Sequence, residues 1–372
     1  MSFLKAVISF IWAHILLLGG VDTQVYVAPP EPAPVSIVAT TIKPTETNQP
    51  IVKTSIIATT TRPKAQATAT KPAMRPVETP KQITITPEPP PNFELINTFA
   101  RQATVNILCT TKTGALSPIS GTGVIVKQNG LILTNAHIAE YLLLKDYKEK
   151  DFLECNIRTG SPAYPKYKVE LVYISPTWVL NNKALLKEQN PQGTGENDFA
   201  FLRITDMIDG SKLPDSFPYI QMDVRENLSI NEPVVLISYP AGFLGGLSVL
   251  QNLNLTSAVI NIQDIFTFGD GSVDVISVGG TVVSQKGSSG GLVVDKNATL
   301  VGIISTSSDG NTTSQRNLYA ITLAYINRAL ETELGINLST FVNQDNAQFA
   351  KKFQEINAPN LSKLITDELN RN

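Results

Sequence analysis

Hydrophobic and polar positions divide the chain into three textures. An apolar run from Ala6 to Gly20 is broken only by Ser9 and His14 and is preceded by Lys5 and the amino terminus. Residues 24–92 then hold 14 of the 24 prolines, many threonines and no glycine, with almost no aromatic residue. From Phe93 onward, short apolar or alternating runs are bounded by Gly, Pro, Asn and Asp. They are Thr104–Thr110, Gly123–Lys127, Leu131–Thr134, Val169–Ile174, Phe199–Ile204, Pro233–Ser238, Val273–Val278, Gly291–Asp295 and Leu300–Ser305. Runs of this length with these boundaries predict strands. Many strands in series with little helix between them point to an all-β barrel or sandwich. Helical spacing returns only in Leu323–Leu334, followed by a polar, helix-prone stretch over Leu338–Asn370.

The first texture bears on where the protein resides. A short positive start before an apolar run matches a secretory signal, although no clear small-x-small cleavage site comes after it. Residues 1–22 therefore read as a signal peptide or an uncleaved membrane anchor, and either exports the rest of the chain. The protein is expected to be periplasmic, extracellular or anchored facing outward. The proline-rich stretch buries too little apolar surface to offset its ordering entropy, and such composition favours extended polyproline II. Residues 23–92 read as a disordered, semi-rigid stalk. A charged fraction of 17% and a net charge of −2 give no basis for a nucleic-acid partner. The two cysteines, Cys109 and Cys155, favour a disulfide in an oxidising compartment, against two buried thiols.

Candidate chemistry begins with Gly287-Ser288-Ser289-Gly290-Gly291. A serine between glycines suits a nucleophile on a tight turn, where the N–H groups of Gly287 and Ser289 could face a developing oxyanion. Alone, such a cluster is more often a loop. Of the two histidines, His14 lies in the export segment, so His137 is the only base of neutral pKa left to a folded domain. Asp198 heads Asp198-Phe199-Ala200-Phe201-Leu202, where an acid before an apolar strand can be half-buried and orient an imidazole. Asp146 and Asp151 lie in a polar, lysine-bearing stretch and fit less well. Chain order separates the folds that use this trio. The α/β-hydrolases run Ser, acid, His, and no histidine follows Ser289; subtilisin-like enzymes run Asp, His, Ser, and no aspartate lies between Asp22 and His137. The order His137, Asp198, Ser289 is that of chymotrypsin.

Thr134-Asn135-Ala136-His137, Asp198–Leu202 and Gly287–Gly291 together resemble the three signature blocks of trypsin-like peptidases, nearest the bacterial HtrA/Deg branch, over residues 95–335. The resemblance implies two packed six-stranded antiparallel β-barrels over 93–335 (about 93–215 and 216–322, then a helix), with a C-terminal helical extension over 336–372. It implies Ser289 as nucleophile, His137 as base then acid, Asp198 as orienter, and Gly287 and Ser289 as the oxyanion hole. It places Val283, Ser305, Thr306 and Ser307 at the substrate pocket, with the Ser305 hydroxyl supporting Asp198.

The sequence also departs from the family. Ser288 stands where digestive relatives carry an aspartate, and no Ile-Val-Gly-Gly start is present, so their activation switch is not expected. The residues after Gly335 are too few for a further globular domain, so PDZ-type regulation is not expected either. The long gap between His137 and Asp198 suggests an insertion within 141–197 containing Cys155. With Val283 in place of an acid, a small or medium apolar side chain before the scissile bond is expected. No metal or organic cofactor is implied. Polypeptides are the expected partners, and oligomerisation stays open. The alternative is a catalytically silent binding module of the cell envelope on the same fold.

Overall fold

A computed structural model describes residues 90–371 except 113–115, 189–192, 243, 270 and 309–311. The expected export segment and nearly all of the expected stalk lie outside the described residues. Among the described residues no helix is long and apolar enough to cross a membrane.

Helix α1 (Phe93–Gln102) opens on Asn92, whose side chain accepts from Leu95 N at 3.0 Å. Its Ile96 and Ala100, four apart, face inward. The next six strands are β1 (Thr104–Thr111), β2 (Ile119–Lys127), β3 (Leu131–Thr134), β4 (Leu153–Thr159), β5 (Tyr164–Ile174) and β6 (Ala200–Met207). They close an antiparallel barrel in the order β1-β2-β3-β6-β5-β4. The residues 141–197 are not simply an insertion: they supply β4 and β5, along with helix α3 (Pro176–Asn182).

The second sheet runs β8-β7-β11-β12-β13-β10-β9. Its strands are β7 (Pro233–Ser238), β8 (Thr256–Asn261), β9 (Asp264–Phe266), β10 (Val275–Ser277), β11 (Leu292–Val294), β12 (Leu300–Ser307) and β13 (Leu318–Thr322), with the short helix α4 (Gly246–Gln251) between β7 and β8. It contains seven strands rather than the expected six. The two ends of the order, β8 and β9, are consecutive in the chain and separated only by Ile262 and Gln263. The sheet thus turns a corner through one bent segment, which explains the extra strand. One face of this sheet is packed by Val234, Leu236, Val293, Val301 and Ile304, among others, while Val235, Ile237, Leu292 and Ile303 join the apolar cluster of the first barrel.

Four helices complete the chain. Helix α5 (Leu323–Leu334) starts on Thr322, whose hydroxyl accepts from Tyr325 N, and stops at Gly335 in the left-handed region at φ 72°. Then come α6 (Leu338–Asn343), α7 (Asn346–Ile356) and α8 (Ala358–Leu369). They pack on the first barrel: Phe341 sits 4.6 Å from Phe201 and 5.8 Å from Tyr173 between ring centroids. Gln354 Nε2 donates to the Leu171 carbonyl at 2.9 Å. The strand that comes after Asp198 is therefore braced from outside by the tail.

Cys109 and Cys155 are bonded and lie directly opposite one another on β1 and β4. The bridge joins two barrel strands, rather than fastening an insertion to the barrel. It closes a loop of sequence separation 46, which corresponds to about 2–4 kcal/mol of stability. The paired substitution Cys109→Ala with Cys155→Ala should lower the denaturation midpoint accordingly. A midpoint equal to that of the oxidised protein would contradict this.

Candidate active site

His137 is the second residue of the short helix α2 (Ala136–Ala139), immediately beyond β3. Its strand is buried at every position, so the imidazole projects from a rigid base. Asp198 precedes β6 and is 2% exposed. Its carboxylate meets the histidine twice: Oδ2 lies 2.8 Å from Nδ1, and Oδ1 accepts from the His137 backbone N–H at 3.0 Å. A carboxylate only accepts, so Nδ1 carries the proton and Nε2 offers a lone pair. Ser305 Oγ donates to the same Oδ2 at 2.7 Å, and Asn135 Nδ2 to the Asp198 carbonyl at 2.8 Å.

The segment leading to Asp198 is held just as firmly. Asn197 has φ 57°, and its N–H donates to Tyr325 Oη at 2.9 Å while its Oδ1 accepts from the same hydroxyl at 3.1 Å. Gly195, at φ +86°, approaches so closely that a Cβ there would lie 3.1 Å from Ser305 Oγ. Neither Tyr325 nor Gly195 carries a local sequence signal of this role, because α5 is remote in the chain.

Ser289 is partly buried on the turn before β11, and its Oγ donates to the Ser305 carbonyl at 3.4 Å. It makes no hydrogen bond to His137 among the described residues. The chain Ser289–Ser305–Asp198–His137 nevertheless brings the three expected residues into one hydrogen-bonded group. Around the serine, the Lys286 carbonyl accepts from Ala241 N at 2.7 Å and the Ser288 carbonyl from Gly291 N at 2.8 Å. In a planar trans peptide the N–H points opposite the carbonyl. The N–H groups of Gly287 and Ser289 are thereby turned away from these anchors, and neither donates to another described residue. Ser288, buried, donates to the Val283 carbonyl at 2.5 Å and accepts from Ser238 Oγ at 2.9 Å. A neutral hydroxyl pair therefore ties down the turn.

The four residues expected at the pocket separate in depth. Val283 is wholly buried within the second barrel's filling, Ser305 is buried, Thr306 is half-buried and Ser307 is exposed.

One further group lies under the site. Glu140, three residues after His137, is 3% exposed, and its Oε2 has no hydrogen-bond partner. Burial pushes its carboxyl well above the usual range, and the charge of Asp198 adds to the shift. A raised folded-state pKa means that stability is lost as pH climbs above the unfolded value, until the folded value is passed. Glu140→Gln should therefore match wild type in thermal midpoint near about pH 4 and exceed it increasingly as the pH rises above that value. A constant difference across that range would rule this out.

A closed antiparallel barrel beside a curled sheet, with histidine, buried aspartate and glycine-flanked serine drawn from both, is the architecture of chymotrypsin-like peptidases. Residues 121–303 match the family model of the trypsin-like peptidase domain. Among solved structures, the chain is similar to the Rv3671c protease of M. tuberculosis in its active form: 16% identity, TM-score 0.41, over 70% of this chain and 95% of that one. It is also similar to Deg5, at 14% identity and TM-score 0.42, over 63% and 90% of the respective chains. A comparison with curated protein sequences found no match.

Proposed function

We propose that the protein is an exported serine endopeptidase working through Ser289, His137 and Asp198. The observation that carries this reading is the buried Asp198 carboxylate gripping both Nδ1 and the backbone N–H of His137. That grip fixes the tautomer a general base needs. His137 Nε2 takes the Ser289 proton as Oγ attacks the substrate carbonyl, and the N–H groups of Gly287 and Ser289 receive the oxyanion. The proton then passes to the leaving amine, giving an acyl-enzyme that water, activated by the same imidazole, hydrolyses. The half-buried Thr306 and exposed Ser307 would wall the pocket for the side chain before the scissile bond. The apolar run at the amino terminus and the disulfide support an exported location, with polypeptides outside the cytoplasm as substrates.

The bond from Ser289 Oγ to the Ser305 carbonyl, rather than to His137, favours a second reading: a silent binding module on this fold. Incubation with an unfolded polypeptide such as reduced casein separates them. The enzyme reading expects defined fragments from wild type and none from Ser289→Ala. Bound but intact polypeptide in both would favour the binding module.

A further inference from the structure

Thr122 of β2 belongs to the first barrel, yet most of its hydrogen bonds go to the second. Its N–H donates to the Ser289 carbonyl at 2.8 Å. Its hydroxyl donates to the Gly287 carbonyl at 2.9 Å and accepts from Tyr239 N at 3.0 Å. Its carbonyl accepts from Thr134 Oγ1 at 2.7 Å. The residue is fully buried, so these bonds have no competition from water. Three of the four act on the second barrel. Two of those are on the serine turn itself, and the third is on Tyr239, next but one to the Ala241 that anchors the Lys286 carbonyl. The fourth acts on the end of β3, three residues before His137.

We infer that Thr122 is a positioning residue: its hydroxyl clamps the Gly287 carbonyl so that the oxyanion turn keeps its N–H groups directed at the substrate. The clamp needs no charge and no new amino terminus, which agrees with Ser288 standing where an activating acid would be. The geometry demands a hydroxyl at this position, because the Gly287 carbonyl needs a donor while the Tyr239 N–H needs an acceptor. Serine meets both needs; valine keeps the shape of threonine and meets neither. The catalytic part of this inference rests on the peptidase reading above.

The test uses the full chain and a fluorophosphonate probe, with the rate of Ser289 labelling followed against pH. Thr122→Val should lower the plateau rate at least about tenfold, toward the loss typical of a misplaced oxyanion donor. The pH of half-maximal labelling should stay unchanged, since the His137–Asp198 pair is untouched. Thr122→Ser should stay within about threefold of wild type. Hydrogen exchange provides a readout independent of catalysis: the Ser288 and Gly290 amides should exchange at least about tenfold faster in Thr122→Val. A plateau within threefold of wild type, or a displaced pH midpoint, would overturn the assignment. If Thr122→Val fails to fold, Thr122→Ala takes its place; failure of both would make Thr122 a folding residue and overturn the assignment as well. Wild type that is inert to the probe, with faster turn exchange in the variant, would keep the clamp and remove the peptidase reading.

Discussion

Asp198→Asn is expected to lower kcat on a polypeptide substrate by about 10⁴-fold with the fold intact. The loss comes from the bonds that choose the amide's orientation. The His137 backbone N–H donates to Oδ1 and needs an acceptor, so the amide oxygen of the substituted residue takes that place. Its NH2 group then occupies the position of Oδ2, facing Nδ1. Nδ1 must accept, the imidazole proton moves to Nε2, and the base is lost. The Ser305 hydroxyl can rotate to accept instead of donate, so the change should leave thermal stability nearly as it was. Steady-state kinetics beside circular dichroism would check this. A variant with kcat within tenfold of wild type would show that tautomer control is not what Asp198 provides.

Gly290→Ala should affect folding as well as activity. Gly290 has φ +81°, where an L-residue is strained. A Cβ there would stand 1.9 Å from the Thr122 carbonyl oxygen and 2.6 Å from Thr134 Oγ1. The first of these is backbone of a buried strand and cannot move aside. Overpacking and the backbone penalty together amount to roughly 2–5 kcal/mol, and any folded protein that remains must displace the serine turn from Thr122. Denaturant unfolding and fluorophosphonate labelling should both register the change. A variant with a wild-type midpoint and wild-type labelling would contradict the close approach of the two barrels at this point.

Much of this framework can be read from residue pattern. Strands β3 and β7 and helix α5 fall where the apolar runs place them, because each is buried enough to read as a continuous or periodic signal. The missed elements failed for identifiable reasons. Strand β4 carries Arg158, wholly buried and donating to the carbonyls of Ala163, Val249 and Leu250, so a charge interrupts its apolar pattern. Strand β9 has three residues, all exposed, and pairs only through β10. The tail helices α6 to α8 were expected as helix, but their docking on the first barrel was not legible because their burial comes from single residues such as Phe341, Phe353 and Ile365.

The site divides along the same line. His137, Asp198 and Ser289 stood out because their residue types, order and glycine setting carry chemical meaning. Apart from Ser305, whose support of Asp198 the family resemblance implied, their supports did not. Thr122 looks like an ordinary strand threonine, and its value lies in bonds to residues more than a hundred positions away. Glu140 looks like a solvent-facing helix residue, yet it is buried beside the Asp198 charge. Such roles depend on tertiary proximity, which local pattern does not record.

The central claim is that Ser289 is an activated nucleophile. Mass spectrometry of the intact, oxidised protein after exposure to a fluorophosphonate tests it most directly, beside Ser289→Ala and His137→Ala. The account predicts a single adduct on Ser289, absent from the first variant and strongly reduced in the second. Folded wild-type protein that takes up no adduct, or takes it up equally without His137, would contradict it.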